Sequence, residues 1–236
     1  MNVLPFTQFV RRNVPFVSVA ARWAFATRDS LSPTRSTYSQ NGEDHDVFER
    51  LRGYDLLSGI YVDVGANQPT KTSNTYLFYR HGCRGVLIEP NHDLVRLIRT
   101  FRRRDIVVPV GCADEPGVLE FRHSNASVFG TFTDHVIEGE RWSEFLPVLS
   151  LDNILNKIPF RWIFYLSIDV EGLDFEVLRG ATATLAKTFF VTIEYKSNPS
   201  AMVDFLQEHQ FKQVTETPHN FGFQSQRDFS EFRRSV

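Results

Sequence analysis

Cysteine is scarce in this sequence. Only Cys83 and Cys112 occur among 236 residues, and neither belongs to a Cys-x-x-Cys pair or to a zinc-ligand spacing. That excludes a disulfide scaffold and a structural zinc site, and leaves the expectation of two buried, reduced thiols in a cytoplasmic protein. Long apolar runs are also missing, so no transmembrane helix is expected. Nor is there an excess of basic charge, since 26 Lys and Arg stand against 28 Asp and Glu for a net charge of -2. No nucleic-acid partner is expected, because counterion release on a polyanion needs a concentrated basic face.

Acidic residues are absent from the first 28 positions, where Arg11, Arg12, Arg22 and Arg28 are interleaved with Phe6, Phe9, Phe16, Trp23 and Phe25. This composition leaves three readings open: an organelle transit peptide, membrane-surface contact, or a helical extension packed on the domain or on a second subunit of a homo-oligomer. Pro5 and Pro15 argue against one uniform amphipathic helix. What the chain does have is 42% apolar and 23% charged residues, enough for one well-buried core.

From about residue 45 to residue 216, apolar β-rich runs alternate with helix-period segments, the pattern of a parallel sheet covered on both faces. The strands are read at Ile60 to Val64, Gly85 to Ile88, Ile106 to Val110, Trp162 to Ile168 and Phe189 to Ile193. Helices are read over Thr72 to His81, around Leu94 to Phe101, over Leu173 to Arg179 and over Pro199 to His209. The run Arg102-Arg103-Arg104 reads as a solvated helix end that complements the dipole. A hairpin arm, Val118 to Arg122, follows the turn at Glu115-Pro116-Gly117. Residues 123 to 147 show no clear period and read as a long loop or lid. The tail offers Phe211 to Glu216 and Phe221 to Gln224 around a short turn, which only a hairpin accommodates, so the last strand is expected antiparallel to the others.

Open parallel sheets bind ligands beyond the carboxyl ends of their strands, where strand order reverses. Here the first two strands end in Asp63-Val64-Gly65-Ala66-Asn67 and Glu89-Pro90-Asn91. A dinucleotide pyrophosphate requires the close backbone approach of G-x-G-x-x-G, whereas this turn has Gly65 alone with an acid in front of it. That pattern disfavours a nucleotide-dependent oxidoreductase. It suits a nucleoside bearing ammonium and sulfonium groups, which is S-adenosylmethionine, with Glu89 placed to accept the ribose hydroxyls. The competing reading is that Asp63 and Asn67 only cap the next helix.

Five ordered motifs carry a resemblance. Tyr38-Ser39-Gln40-Asn41-Gly42-Glu43-Asp44, Val62 to Pro69, Ser73-Asn74-Thr75, Gly85 to Asn91, and Ile168 to Gly172 with Val177-Leu178-Arg179-Gly180 together resemble the FkbM family of methyltransferases. The similarity runs from about Tyr38 to Phe223, which sets off residues 1–37 as an extension and 38–236 as the methyltransferase domain. The resemblance implies a class I, Rossmann-like α/β fold with a mostly parallel seven-stranded sheet and an antiparallel terminal hairpin strand. It implies S-adenosylmethionine as methyl donor, and as acceptor a hydroxyl of a sugar, glycan, glycolipid or small natural product. Position by position, Asp63, Gly65 and Asn67 match the glycine-loop motif, Glu89 the ribose acid, and Asp114 falls beside the adenine. Gln40 and Glu43 belong to the signature that precedes the sheet, where polar side chains close over the cofactor or cap a helix.

Methyl transfer to oxygen is an in-line displacement that needs a base, or a divalent cation that acidifies the acceptor. Asp169, Glu171 and Glu194 end strands four and five. If a metal is present, these three acids are its ligands; without one, Asp169 or Glu171 serves as base and Glu194 anchors substrate hydroxyls. Helix capping by the same acids is the alternative. His219, in the turn of the terminal hairpin, is a further catalytic candidate by position, and His123 and His135 rank below it. Phe129, Phe132 and Trp142 either stack on a sugar ring or anchor the loop. N-methylation of a peptide or amine, and a non-catalytic nucleoside-binding module of the same fold, are the other readings.

Overall fold

The computed structural model describes residues 15–124, 130–133, 140–195 and 199–234. In chain order the strands are β1 (Ile60–Val64), β2 (Gly85–Ile88), β3 (Ile106–Val108), β4 (Gly111–Cys112), β5 (Gly117–Ser124), β6 (Gly130–Thr131), β7 (Glu140–Leu149), β8 (Ile163–Ile168), β9 (Thr188–Glu194), β10 (Phe211–Glu216) and β11 (Asn220–Ser225). The helices are α1 (Pro15–Leu31), α2 (Glu43–Arg50), α3 (Tyr76–Arg80), α4 (His92–Phe101), α5 (Leu151–Leu155), α6 (Asp174–Arg179), α7 (Thr182–Leu185) and α8 (Pro199–Glu208).

Seven strands form the main sheet in the order β10-β11-β9-β8-β1-β2-β3. β1, β2, β3, β8 and β9 run parallel, and β11 is antiparallel to both of its neighbours, as the short tail hairpin demands. Every residue of β1 and β8 is buried, which is why both read as apolar runs, interrupted only by Asp63 and Ser167. Alternate residues of β1 feed two core layers. Val62 and Val64 pack with Leu166, Ile168, Val177 and Leu206 on one face, while Tyr61 packs with Phe78, Phe164 and Tyr165 on the other. The strand order reverses around β1: β2 and β3 lie on one side, β8 and β9 on the other.

Three local readings change. The helix expected from Thr72 forms only over Tyr76–Arg80, because Thr72 sits at φ 51 and the preceding loop is held by a side chain from elsewhere. That side chain is Arg102, which is completely buried, whereas the basic run containing it reads as solvated. Residues 123–147 are not all loop: β7 pairs along its length with β5, antiparallel, and its end pairs with β4 in a second sheet of order β4-β7-β5-β6. Exposed Phe145 and Pro147 alternate with buried Leu146 and Val148, so an apolar residue on the outer face hides the period of two. Phe129 and His135 lie outside the described residues.

α1 begins at Pro15, where a proline at a helix start costs no hydrogen bond. Trp23 meets Phe101 of α4 edge-on at 5.6 Å, and the Asp29 carboxylate accepts from Arg35 and Thr70. None of the described helices is long and apolar enough to cross a membrane.

Candidate functional site

The reversal point at β1 carries a cavity open to solvent, lined by the turns that end β1, β2 and β8 and by one face of the second sheet. Gly65 is dictated by two constraints. Its φ is +80, and a Cβ there would lie 1.8 Å from the carbonyl oxygen of Asp169, so the turns after β1 and β8 touch backbone to backbone. Asn67 follows at φ 52, and its Oδ1 is buried in the cavity lining with no hydrogen-bond partner among the described residues. An orphaned buried acceptor in a cavity wall awaits a donor from a ligand.

Glu89 closes the second turn. It is 5% exposed, and its two carboxylate oxygens accept the backbone N–H groups of Asn67 (2.9 Å) and Asn91 (2.8 Å). One side chain therefore fixes both turns while retaining lone pairs for hydroxyl donors. Burial pushes its carboxyl up to about 7, against the two backbone hydrogen bonds and with the help of nearby Asp63. Asp169 and Glu171 complete the acidic lining, and Glu171 sits in the left-handed region at φ 58 while its carbonyl accepts the hydroxyl of Thr131. Val110 and Phe132, with Cys112 and Phe121 of the second sheet, supply the apolar part of the wall. No Lys or Arg is among the described lining residues, so a phosphate finds no counter-charge and a cation meets three carboxylates.

Asp63 does not line this cavity. It is buried one residue below the strand end, accepts the Thr75 hydroxyl at 2.6 Å, and is raised to about 6 by burial, partly offset by Thr75 and Arg102. Arg102, unforeseen as part of the site, is the hub beneath the turn. Its guanidinium donates to Asp105 (2.7 Å), Tyr61, Thr75, Ser73 and the carbonyl of Pro69. The only sequence signal was Asp105 three residues on, the spacing of an ion pair across one helical turn.

The remaining candidates lie elsewhere. Asp114 is paired with Arg179 at 2.8 Å and is outside the cavity lining. Gln40 is exposed, whereas Asp44 in the same signature is fully buried and gathers Thr37, Ser39 and the Tyr38 amide. Glu43 lines a second cavity beside the terminal hairpin. There it accepts from the amide and side chain of Asn41 and from the Asn220 side chain. Burial alone would raise its carboxyl; these hydrogen bonds outweigh it and hold the group below the usual range. His219 is exposed and lines neither cavity; its backbone carbonyl accepts the Tyr195 amide, while Thr217 and Asn220 of the same turn face the second cavity. His123 is locked between Trp142, stacked at 3.9 Å, and Glu144 at 2.8 Å.

The metal set Asp169, Glu171 and Glu194 is not assembled. Glu194 lies outside the cavity lining, and among the described residues no three His, Cys, Asp or Glu side chains come together as ligands. β9 is separated from β1 by β8, which places Glu194 a strand further from the turn that Asp169 packs against.

The model of the Methyltransferase FkbM domain matches residues 63–224. Among solved structures, methyltransferase FkbM from Methylobacillus flagellatus KT aligns at 17% identity and a TM-score of 0.50, covering 92% of this chain. The chain spans 60% of the length of that structure. A TehB-like SAM-dependent methyltransferase from Corynebacterium glutamicum is 7% identical over 88% of this chain and 96% of its own, with a TM-score of 0.44. The Burkholderia thailandensis 1,6-didemethyltoxoflavin-N1-methyltransferase, solved with its substrate and S-adenosylhomocysteine, is 10% identical over 95% of this chain and 92% of its own, with a TM-score of 0.41. No curated protein matches the sequence.

Proposed function

Because the chain belongs to the FkbM family of methyltransferases, we propose that it transfers a methyl group from S-adenosylmethionine to a hydroxyl of a sugar, glycan or small natural product. The observation that carries the reading is the cavity at the β1 reversal, where Glu89, the orphaned Asn67 oxygen and two further carboxylates line one space. When bound there, S-adenosylmethionine supplies an electrophilic methyl carbon on a sulfonium.

Glu89 accepts ribose hydroxyls with the lone pairs left after it has gripped the Asn67 and Asn91 amides. Asn67 Oδ1 takes a donor it otherwise lacks. Phe121, Phe132 and Cys112 offer the apolar slot that a purine ring fits. Asp169 and Glu171 favour oxygen over nitrogen as the acceptor. An alcohol must lose its proton as the new bond forms, and a carboxylate at the cavity wall takes it, whereas a neutral amine attacks without that help.

Calorimetry of the whole chain against S-adenosylhomocysteine and NAD tests the donor, and binding of NAD alone overturns the proposal. Transfer of labelled methyl to a panel of alcohols and amines tests the acceptor. Labelled ethers are expected; N-methyl products instead, or no transfer with any acceptor despite donor binding, favour the amine or the non-catalytic reading.

A further inference from the structure

The second cavity opens at the carboxyl end of β9, between the start of α2 and the terminal hairpin. A row of polar residues leads to it across the main sheet. Asp63 is in register with Ser167, Ser167 with Thr192, Thr192 with Gly222, and Gly222 with Thr215, so all stand on one face of adjacent strands. Asp63, Ser167 and Thr192 are each at least nine-tenths buried. Apolar side chains would serve a core better there; instead Ser167 accepts from Asn74, and Thr192 shares a 2.8 Å hydrogen bond with Tyr165. The row begins beneath the donor turn and ends in the cavity floor, where Thr192 and Thr215 meet Thr217, Asn41, Asn220 and Glu43.

The chemistry of that lining is selective. No Lys or Arg is among its described residues, so a phosphorylated or carboxylated ligand lacks a counter-charge there; of its three acids, Asp46 is paired with Arg50 at 3.0 Å and Glu216 is exposed and accepts from Gln213, which leaves Glu43 as the buried one. Glu43 is 6% exposed and has no ion-pair partner among the described residues; one of its oxygens accepts two N–H groups and the other accepts one. Hydroxyl donors complete such a carboxylate, and threonine hydroxyls and asparagine amides answer a ring that both donates and accepts. We infer that this cavity holds a neutral sugar ring of the methyl acceptor, an assignment that rests on the methyltransferase reading above.

The test uses the full ¹⁵N-labelled chain titrated with methyl α-glucopyranoside, glucosamine and inorganic phosphate, with S-adenosylhomocysteine titrated separately by calorimetry. Methyl glucopyranoside is expected to shift the amides of Thr215, Thr217 and Gly222, and Glu43→Gln to weaken it about tenfold with unchanged S-adenosylhomocysteine affinity. Asn220→Ala, which leaves the buried carboxylate in place, is expected to weaken it likewise and serves if Glu43→Gln does not fold. Shifts confined to other amides, no shifts at all, tighter binding of glucosamine or phosphate, or glycoside affinity unchanged in the variants overturn the inference. So does a tenfold loss of S-adenosylhomocysteine affinity in Glu43→Gln, which would assign Glu43 to the donor. If S-adenosylhomocysteine fails to bind the unmodified chain, the methyltransferase reading falls, and the amide shifts still decide whether a sugar occupies this cavity.

Discussion

The two cavities on the carboxyl edge of the sheet are built differently. The donor cavity rests on backbone: Gly65 and Asn67 at positive φ, a Gly65 that nearly touches the Asp169 carbonyl, Glu171 at φ 58, and a single carboxylate bridging two turns. The second cavity rests on side chains, with hydroxyls, amides and Glu43 projecting from α2, β9 and the hairpin. Backbone geometry tolerates almost no substitution, whereas a lining of polar side chains changes residue by residue without moving the chain. Under the proposed function the donor is constant and the acceptor varies, and that division suits both.

The sharpest way to break this contrast is at the acids of the donor cavity. Single Asp169→Asn and Glu171→Gln variants are expected to lower kcat by 10² to 10⁴ at whichever position holds the base, with S-adenosylhomocysteine affinity retained. Full activity in both would remove the proton-acceptor role. Next in size is Arg102→Met, which leaves Asp105 and Asp63 buried beside a missing cation and should cost about 3–5 kcal/mol in urea unfolding. Arg102→Lys should recover part of it, since the charge stays and the fork of hydrogen bonds is lost. Gly65→Ala is expected to weaken S-adenosylhomocysteine about 100-fold by calorimetry while the fold persists; near-normal affinity would mean that the turn relaxes freely.

Smaller again is a pH effect. The Glu89 carboxyl rises on folding from 4.5 to about 7, so the folded chain binds this proton more tightly than the unfolded one. The associated stability is present at low pH and is lost as pH rises through about 7. Ligand binding has the opposite sign, because ribose hydroxyls donate to the ionised form. S-adenosylhomocysteine affinity should fall by up to about tenfold per pH unit below 7, and Glu89→Gln should flatten that profile. A flat profile in the unmodified chain would separate Glu89 from the ligand. Smallest is His219→Ala, expected to change kcat by less than about twofold, since an exposed side chain outside both linings has nothing to position.

Much of the donor side was legible in residue order. β1 and β8 are buried on both faces and so appear as apolar runs, and the Gly65 turn and Glu89 stand at strand ends where no apolar reading accounts for them. Three things were hidden. β7 carries Phe145 and Pro147 outward, which masks its alternation. Arg102, Arg103 and Arg104 look alike in sequence, yet Arg102 alone is buried, because Asp105, Tyr61 and Thr75 converge on it from separate elements. Glu43 belongs to a recognisable signature, but only the return of Asn220 from the far end of the chain shows which space it lines.

The near contact of Gly65 with the Asp169 carbonyl also sets rules for redesign. The donor turn and the strand end that carries the acids share one wall with no slack, so enlarging either side displaces the other. A library aimed at new acceptors would leave residues 63–67 and 169–172 untouched and diversify Thr215, Thr217, Asn220 and the outer part of the second sheet. Variants drawn from those positions inherit the donor machinery intact, and their losses and gains can then be attributed to the acceptor alone.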